Sequence, residues 1–166
     1  LLDDLLDLSV LENGQVTLDL QPVRLRDILD SAQVSANVDD VITIRRNAGH
    51  EDVVLLTDPD RLTQVFINLI SNVAKYCEAD TAELRIYVSD TARGVTLDFI
   101  DNGSGVDKAH QDIIFEKFAR TSDHSKAGGA GLGLAICREI ISNLGGQISY
   151  LPGQRGAAFR VRLPHG

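Results

Sequence analysis

The sequence predicts an α/β domain whose sheet is buried on one face, and two observations carry that prediction. The first is residues 61–77, where Leu62, Val65, Phe66, Leu69, Ile70 and Val73 share one broad apolar face of a helix. Asn68, Asn72 and Lys75 line up on another face, which alone would read as a solvated stripe. The second is a pair of alternating runs, residues 82–88 and 95–100. Leu84, Ile86 and Val88, then Val95, Leu97 and Phe99, alternate with polar residues, so one sheet face is buried and the other at least partly wet. A length of 166 residues suffices for one well-cored domain, and 43 % hydrophobic with 24 % charged residues is ordinary globular composition.

In chain order, Leu1, Leu5 and Leu8 form a helical stripe with Leu2 and Leu6 beside it, ended by Asn13-Gly14. So many leucines in barely three turns call for a partner surface, which an upstream bundle or coiled coil would supply. The chain has no Met, and the expectation is a piece of a longer protein. Residues 15–20 read as a short strand and 22–36 as a helix with Val23, Ile28 and Leu29 inward. Residues 41–45 and 53–56 read as strands on either side of a loop containing Gly49. Asp58 before Pro59 supplies an N-cap and a first-turn proline for the central helix. After the alternating strands come a helix over 107–118, an aperiodic loop over 121–129 expected to be mobile, and a helix from Gly131 to about Leu144. Gly145-Gly146 ends that helix, and residues 147–151 and 157–163 close the chain as a hairpin around Pro152-Gly153.

Composition narrows the function. A net charge of −8 and a pI near 4.8 argue against nucleic acid, because neutralising a polyanion needs surplus Lys and Arg. Any bound phosphate must be held locally, by backbone amides, a metal ion and a few cations. Cys77 and Cys137 lack Cys-x-x-Cys spacing, which fits buried thiols in a reducing compartment rather than zinc. No apolar run approaches a membrane span and no signal peptide is visible, so no membrane contact by this stretch is expected.

Two glycine-rich segments sit where elements meet. Residues 101–106, Asp-Asn-Gly-Ser-Gly-Val, follow a strand; the glycines permit close approach of a flat ligand, and the carboxylate can accept from an amino group such as adenine N6. Residues 128–134, Gly-Gly-Ala-Gly-Leu-Gly-Leu, open a helix whose free amides would cradle an anion. Singly both are weak signals, since Asn-Gly is a common turn and the second segment fits neither the P-loop nor the dinucleotide fingerprint.

Their order is specific. A helix bearing Asn68, Asn72, Lys75 and Tyr76, then Asp-x-Gly-x-Gly, then Ile114 to Phe118 (Ile-Phe-Glu-Lys-Phe), then Gly-x-Gly-Leu-Gly-Leu closely resembles the catalytic, ATP-binding domain of sensor histidine kinases, within the GHKL group shared with gyrase, Hsp90 and MutL. The resemblance implies a two-layer α/β (α+β) sandwich of the Bergerat type, a mixed sheet of about five strands covered on one face by three helices. It also implies that residues 1–14 are the end of a dimerisation and phosphoacceptor helix, and residues 15–166 the catalytic domain.

The roles implied follow the motifs. Asp101 would receive the adenine amino group, with Gly103, Gly105 and Val106 against the nucleotide. Asn72 with Asn68 would hold Mg²⁺, whose preference for oxygen ligands suits amide carbonyls. Lys75 and Tyr76 would lie beside the phosphates, and Gly129, Gly131, Leu132, Gly133 and Leu134 would line them from the second glycine segment. Arg120 and Lys75 would offset charge during transfer. Phe115 and Phe118 read as anchors seating a lid, Phe118 being carried also among the nucleotide-binding positions. Asn68 stands where ATP-hydrolysing relatives place a Glu to activate water; an amide cannot act as that base, which favours transfer over hydrolysis. Val73, Ser104, Ala130 and Ala158 depart from the usual pattern and bear on affinity.

The implied reaction moves the γ-phosphate of ATP to a histidine of the protein's own upstream dimerisation domain, in a homodimer, for relay to a response regulator. None of His50, His110, His124 and His165 has the expected helical setting beside an acid. Cytoplasmic placement, free or as part of a membrane-bound sensor, is the matching expectation. A serine kinase of the anti-sigma-factor type is an alternative, and so is a nucleotide-binding interaction module without transfer activity.

Overall fold

Along the chain the computed structural model places α1 (residues 8–12), β1 (Gln21–Arg24), α2 (Leu25–Ala36), β2 (Thr43–Arg46), a 3-10 turn (Ala48–His50), β3 (Val54–Thr57), α3 (Pro59–Tyr76), β4 (Glu83–Thr91), β5 (Gly94–Asp101), α4 (Lys108–Gln111), α5 (Gly133–Asn143), β6 (Gln147–Tyr150) and β7 (Ala158–Leu163). The residues described are 8–13, 17–46, 48–111, 113–116 and 133–166.

Five strands form one mixed sheet in the order β2-β4-β5-β7-β6, in which β2 runs parallel to β4 and the other neighbours pair antiparallel. The small antiparallel pair β1-β3 stands apart. Period-two alternation decides which face is covered. Leu84, Ile86 and Val88 of β4, Val95, Leu97 and Phe99 of β5, and Phe159, Val161 and Leu163 of β7 are all buried. They meet Leu25, Ile28 and Leu29 of α2, Leu62, Val65, Phe66, Leu69 and Ile70 of α3, and Ile136, Ile140 and Ile141 of α5 in a single cluster. The Phe66 and Phe99 rings, 5.5 Å apart, join the central helix to the central strand. The two-layer α/β sandwich with three helices on one face is therefore present.

Asp58 fixes the start of α3. Its Oδ1 accepts from the N–H groups of Asp60 and Arg61, each at 3.1 Å, and its Oδ2 accepts from Asp19 N–H at 3.0 Å. At the far end of α2, Asn37 adopts the left-handed conformation, φ 52°, that ends a helix without glycine.

Three sequence expectations need correction. Residues 17–20 are not a strand; pairing begins at Gln21, and Pro22 lies in β1 opposite Leu56 rather than in a helix. A proline is tolerated there because this short ladder can do without its missing N–H. The helix expected over 107–118 is one turn of α4 followed by non-helical turns at residues 113–115, whose Ile114 is buried. Leu8 and Leu11 of α1 are 1 % and 2 % exposed and belong to the domain's own cluster, so a partner surface for this stretch of the leucine helix lies within the chain. Leu1 to Asp7, Gln15, Val16 and the loop over 121–129 lie outside the described residues.

Candidate functional site

The last residue of β5 is the centre of the site. Asp101 is half-buried, and its Oδ1 accepts from Gly103 N–H at 2.9 Å and from Ala157 N–H at 3.1 Å. Asp101 N–H in turn donates to Ala157 C=O at 2.9 Å, so strand pairing with the β6-β7 hairpin locks the carboxylate in place. Among the described residues Oδ2 has no hydrogen-bond partner. Burial lifts the Asp101 carboxyl above the ordinary aspartate value, the Gly103 and Ala157 N–H groups pull it part of the way back, and the Glu78 carboxylate raises it again. No guanidinium or ammonium neutralises it among the described residues, so the free oxygen is an acceptor poised for a neutral donor.

The glycines around it are spacing devices. A Cβ at Gly156 would overlap the Asp101 carbonyl and Oδ1, and one at Gly103 would lie 3.0 Å from Glu78 Oε1 and 3.2 Å from Asp101 Oδ1. Gly105 has φ +82°, a conformation other residues rarely adopt. Val106 N–H donates to Tyr150 Oη at 3.1 Å, and Tyr150 packs edge-on to Phe159 at 5.6 Å. Phe115 meets the same Phe159 ring at 6.0 Å and so packs against the last strand. Asn102 ties the floor together: its Oδ1 accepts from Glu83 N–H at 2.9 Å, and its Nδ2 donates to Thr81 C=O at 2.8 Å.

The polar stripe of α3 is not simply solvated. Asn68 and Asn72 are half-buried one turn apart, Tyr76 is half-buried and Lys75 is exposed. Asn68 Nδ2 donates to the Cys137 sulfur of α5 at 3.7 Å. Cys137 is fully buried, which pushes its thiol up to about 12, so it stays protonated and inert. Among the described residues no cluster of His, Cys, Asp or Glu could hold a metal. The amide oxygens of Asn68 and Asn72 are the oxygen donors that the stripe offers, a set suited to a hard cation already carrying other oxygen ligands.

Gly133 and Leu134 begin the described part of α5, and Leu134 packs against the core. Phe118, Arg120, Gly129, Gly131 and Leu132 lie outside the described residues. Ala158 faces Ile100 across β5-β7, fully buried and without a hydroxyl to offer. Sequence reading missed Gly156, Ala157, Asn102, Glu78 and Tyr150. A glycine just before the last strand was the one available signal, because the others work through partners distant in the chain.

Residues 57–166 match the family described as the histidine kinase-, DNA gyrase B- and HSP90-like ATPases. The chain belongs to this family. Within these ATPases it is 33 % identical over 165 residues to the sensor protein KdpD of Escherichia coli K12, a match covering 99 % of this chain and 18 % of KdpD. The chain thus spans about a fifth of that relative. Its fold is similar to that of the histidine kinase AdeS of Acinetobacter baumannii, with a TM-score of 0.80 at 25 % identity over 100 % of this chain and 77 % of that one. Full-length ShkA in complex with AMPPNP gives 0.79 at 28 % identity, over 98 % of this chain and 34 % of that one. This is an ATP-binding ATPase domain of the histidine kinase kind, and among the described residues no helix is long and apolar enough to cross a membrane.

Proposed function

We propose that this domain binds Mg·ATP and passes the γ-phosphate to a histidine on a dimerisation and phosphoacceptor domain of the same protein, for relay to a response regulator. The observation that carries the reading is Asp101. Its Oδ1 is occupied by two backbone N–H groups, while Oδ2 has no partner among the described residues. The free oxygen accepts the adenine N6 amino group and discriminates against guanine, which presents an acceptor at that position. Gly103, Gly105 and Val106 border the base.

Asn72 with Asn68 supplies amide oxygens to Mg²⁺, which neutralises the triphosphate. Lys75 is exposed at the end of the same stripe, free to reach the phosphates, with Tyr76 beside it. Phosphate approaches the start of α5 at Gly133, where the helix begins, with Leu134 anchoring that turn in the core. Gly129, Gly131, Leu132, Phe118 and Arg120 complete the phosphate side by family resemblance. The complex of the similar ShkA with AMPPNP supports the nucleotide assignment. The whole protein acts as a homodimer on the cytoplasmic side, with residues 1–14 leading from the acceptor domain into the catalytic domain, residues 15–166.

Incubation with ATP labelled at the γ-phosphate tests the transfer. The chain alone is expected to stay unlabelled at histidine, and an added acceptor domain from the full-length protein to gain acid-labile label. Acid-labile label on His50, His110, His124 or His165, or acid-stable label on the acceptor, would overturn the assignment.

A further inference from the structure

A second cleft lies at the opposite end of the sheet. It has a volume of about 410 Å³ and is lined by Arg93 of the β4-β5 turn, Thr91, Thr96 and Arg162 of the adjoining strands, Gln147 at the start of β6, and the Gly145-Gly146 backbone. β5 begins at Gly94 beside this cleft and ends at Asp101. Seven steps of ~3.3 Å put the two sites about 23 Å apart, so both can be filled at once.

The charge of the cleft is the reverse of the molecule's. The chain carries a net charge of −8, yet no Asp or Glu lines this cleft. Elsewhere Arg24, Arg26, Arg45, Arg46, Arg85 and Arg160 each lie within 4.0 Å of a carboxylate. Among the described residues Arg93, Arg138, Arg155 and Arg162 have no carboxylate partner, and two of the four line this one cleft. Both are exposed. The neighbouring open face of the sheet continues the positive surface with Arg160, Arg85 and Arg45, which share only Asp98 and Glu83 between them.

We infer that this cleft is a docking site for an acidic polypeptide segment, with Arg93 and Arg162 each receiving a carboxylate. A guanidinium fork matches a carboxylate in a two-point hydrogen bond. A metabolite site would enclose most of its ligand, whereas this cleft is open and its two cations are on the surface, which suits an extended segment lying across it. The unanswered positive charge in an otherwise negative chain provides the complementarity that selects an acidic partner and speeds its arrival. The partner is addressed at the end of the domain away from the nucleotide, so docking does not compete with ATP.

The test uses the 166-residue chain labelled with ¹⁵N and titrated with hexaglutamate, with hexaglutamine and inorganic phosphate as separate arms, at low ionic strength. Hexaglutamate is expected to shift the amide signals of residues 91–96, 145–147 and 162–163, and the other two probes to leave them unmoved. In the double variant Arg93→Ser, Arg162→Ser hexaglutamate affinity should fall about tenfold or more, with Mg·ATP binding unchanged. Shifts confined to other regions, equal affinity in the double variant, or the same shifts with phosphate alone would each overturn the inference. The map on the unmodified chain decides the matter even where the double variant folds poorly, and it is independent of the nucleotide assignment.

Discussion

Glu51 and Asp101 are both carboxylates withdrawn from water, and they are treated in opposite ways. Glu51, 1 % exposed, is clasped by Arg46 through Nη2 at 2.5 Å and Nε at 3.2 Å, with Arg26 at 3.9 Å. Arg46 also reaches Asp30 at 2.6 Å, so α2, β2 and the turn at Glu51, just after the 3-10 turn, are fastened to one another. Burial alone would lower the Arg46 guanidinium, and its bonds to Glu51 and Asp30 more than reverse that. Asp101 has two neutral N–H donors, a carboxylate neighbour in Glu78 and no cation among the described residues. An acid buried with its cation serves the architecture, because its charge is already spent. Asp101, with no cation and one oxygen unpartnered among the described residues, retains an acceptor that a ligand can complete, whereas Asp58, also without a cation, has both oxygens taken by N–H groups.

The sharpest way to break this contrast is to remove each acid in turn. Glu51→Ala leaves Arg46 with Asp30 as its one carboxylate partner and is expected to cost about 1–3 kcal/mol of stability, measured by urea unfolding. Asp101→Asn should do the reverse, keeping the fold while weakening Mg·ATP binding by about 10- to 100-fold, the worth of a hydrogen bond to a charged group. The pH dependence sharpens the point. Asp101 holds its proton to higher pH in the folded state than in the unfolded chain, so the folded state binds more protons across that window and stability falls as pH rises through it. Asp101→Asn should therefore be at least as stable as the parent at pH 7, and that advantage should vanish below the ordinary aspartate range. A variant markedly less stable at pH 7 would show that Asp101 is structural after all.

Smaller changes probe the frame around the acid. Gly156→Ala pushes a methyl group into the Asp101 main chain and carboxylate and is expected to cost about 1–3 kcal/mol, with affinity falling alongside. Asn102→Ala leaves Glu83 N–H and Thr81 C=O to find water, a loss of about 1–2 kcal/mol that thermal unfolding would register.

The same contrast explains what the sequence could reveal. Asp101 was legible because it stands in a local pattern, a carboxylate and two glycines directly after an alternating strand. The central helix was legible for a similar reason: Asp58, Pro59 and the spacing from Leu62 to Val73 are all local. Glu51 has no such local signature, since the guanidinium ions that define it come from Arg26 and Arg46 on separate elements. Ala157, which holds Asp101 from 56 residues away, left no trace either, because a backbone N–H has no sequence signature. Strand β1 was misplaced because Pro22 reads equally as a helix start and as a member of a short ladder, and only pairing with β3 decides between them. Asn68 was read as part of a stripe, while its contact with Cys137 depends on how α5 packs.

Calorimetric titration of the folded chain with Mg·ATP and with Mg·GTP, repeated on Asp101→Asn, bears most directly on the role of the unneutralised carboxylate. The expected result is binding of ATP, little or no binding of GTP, and loss of most of the ATP affinity in the variant with its unfolding transition intact. Equal affinity for the two nucleotides, or an unaltered ATP isotherm in the variant, would contradict it.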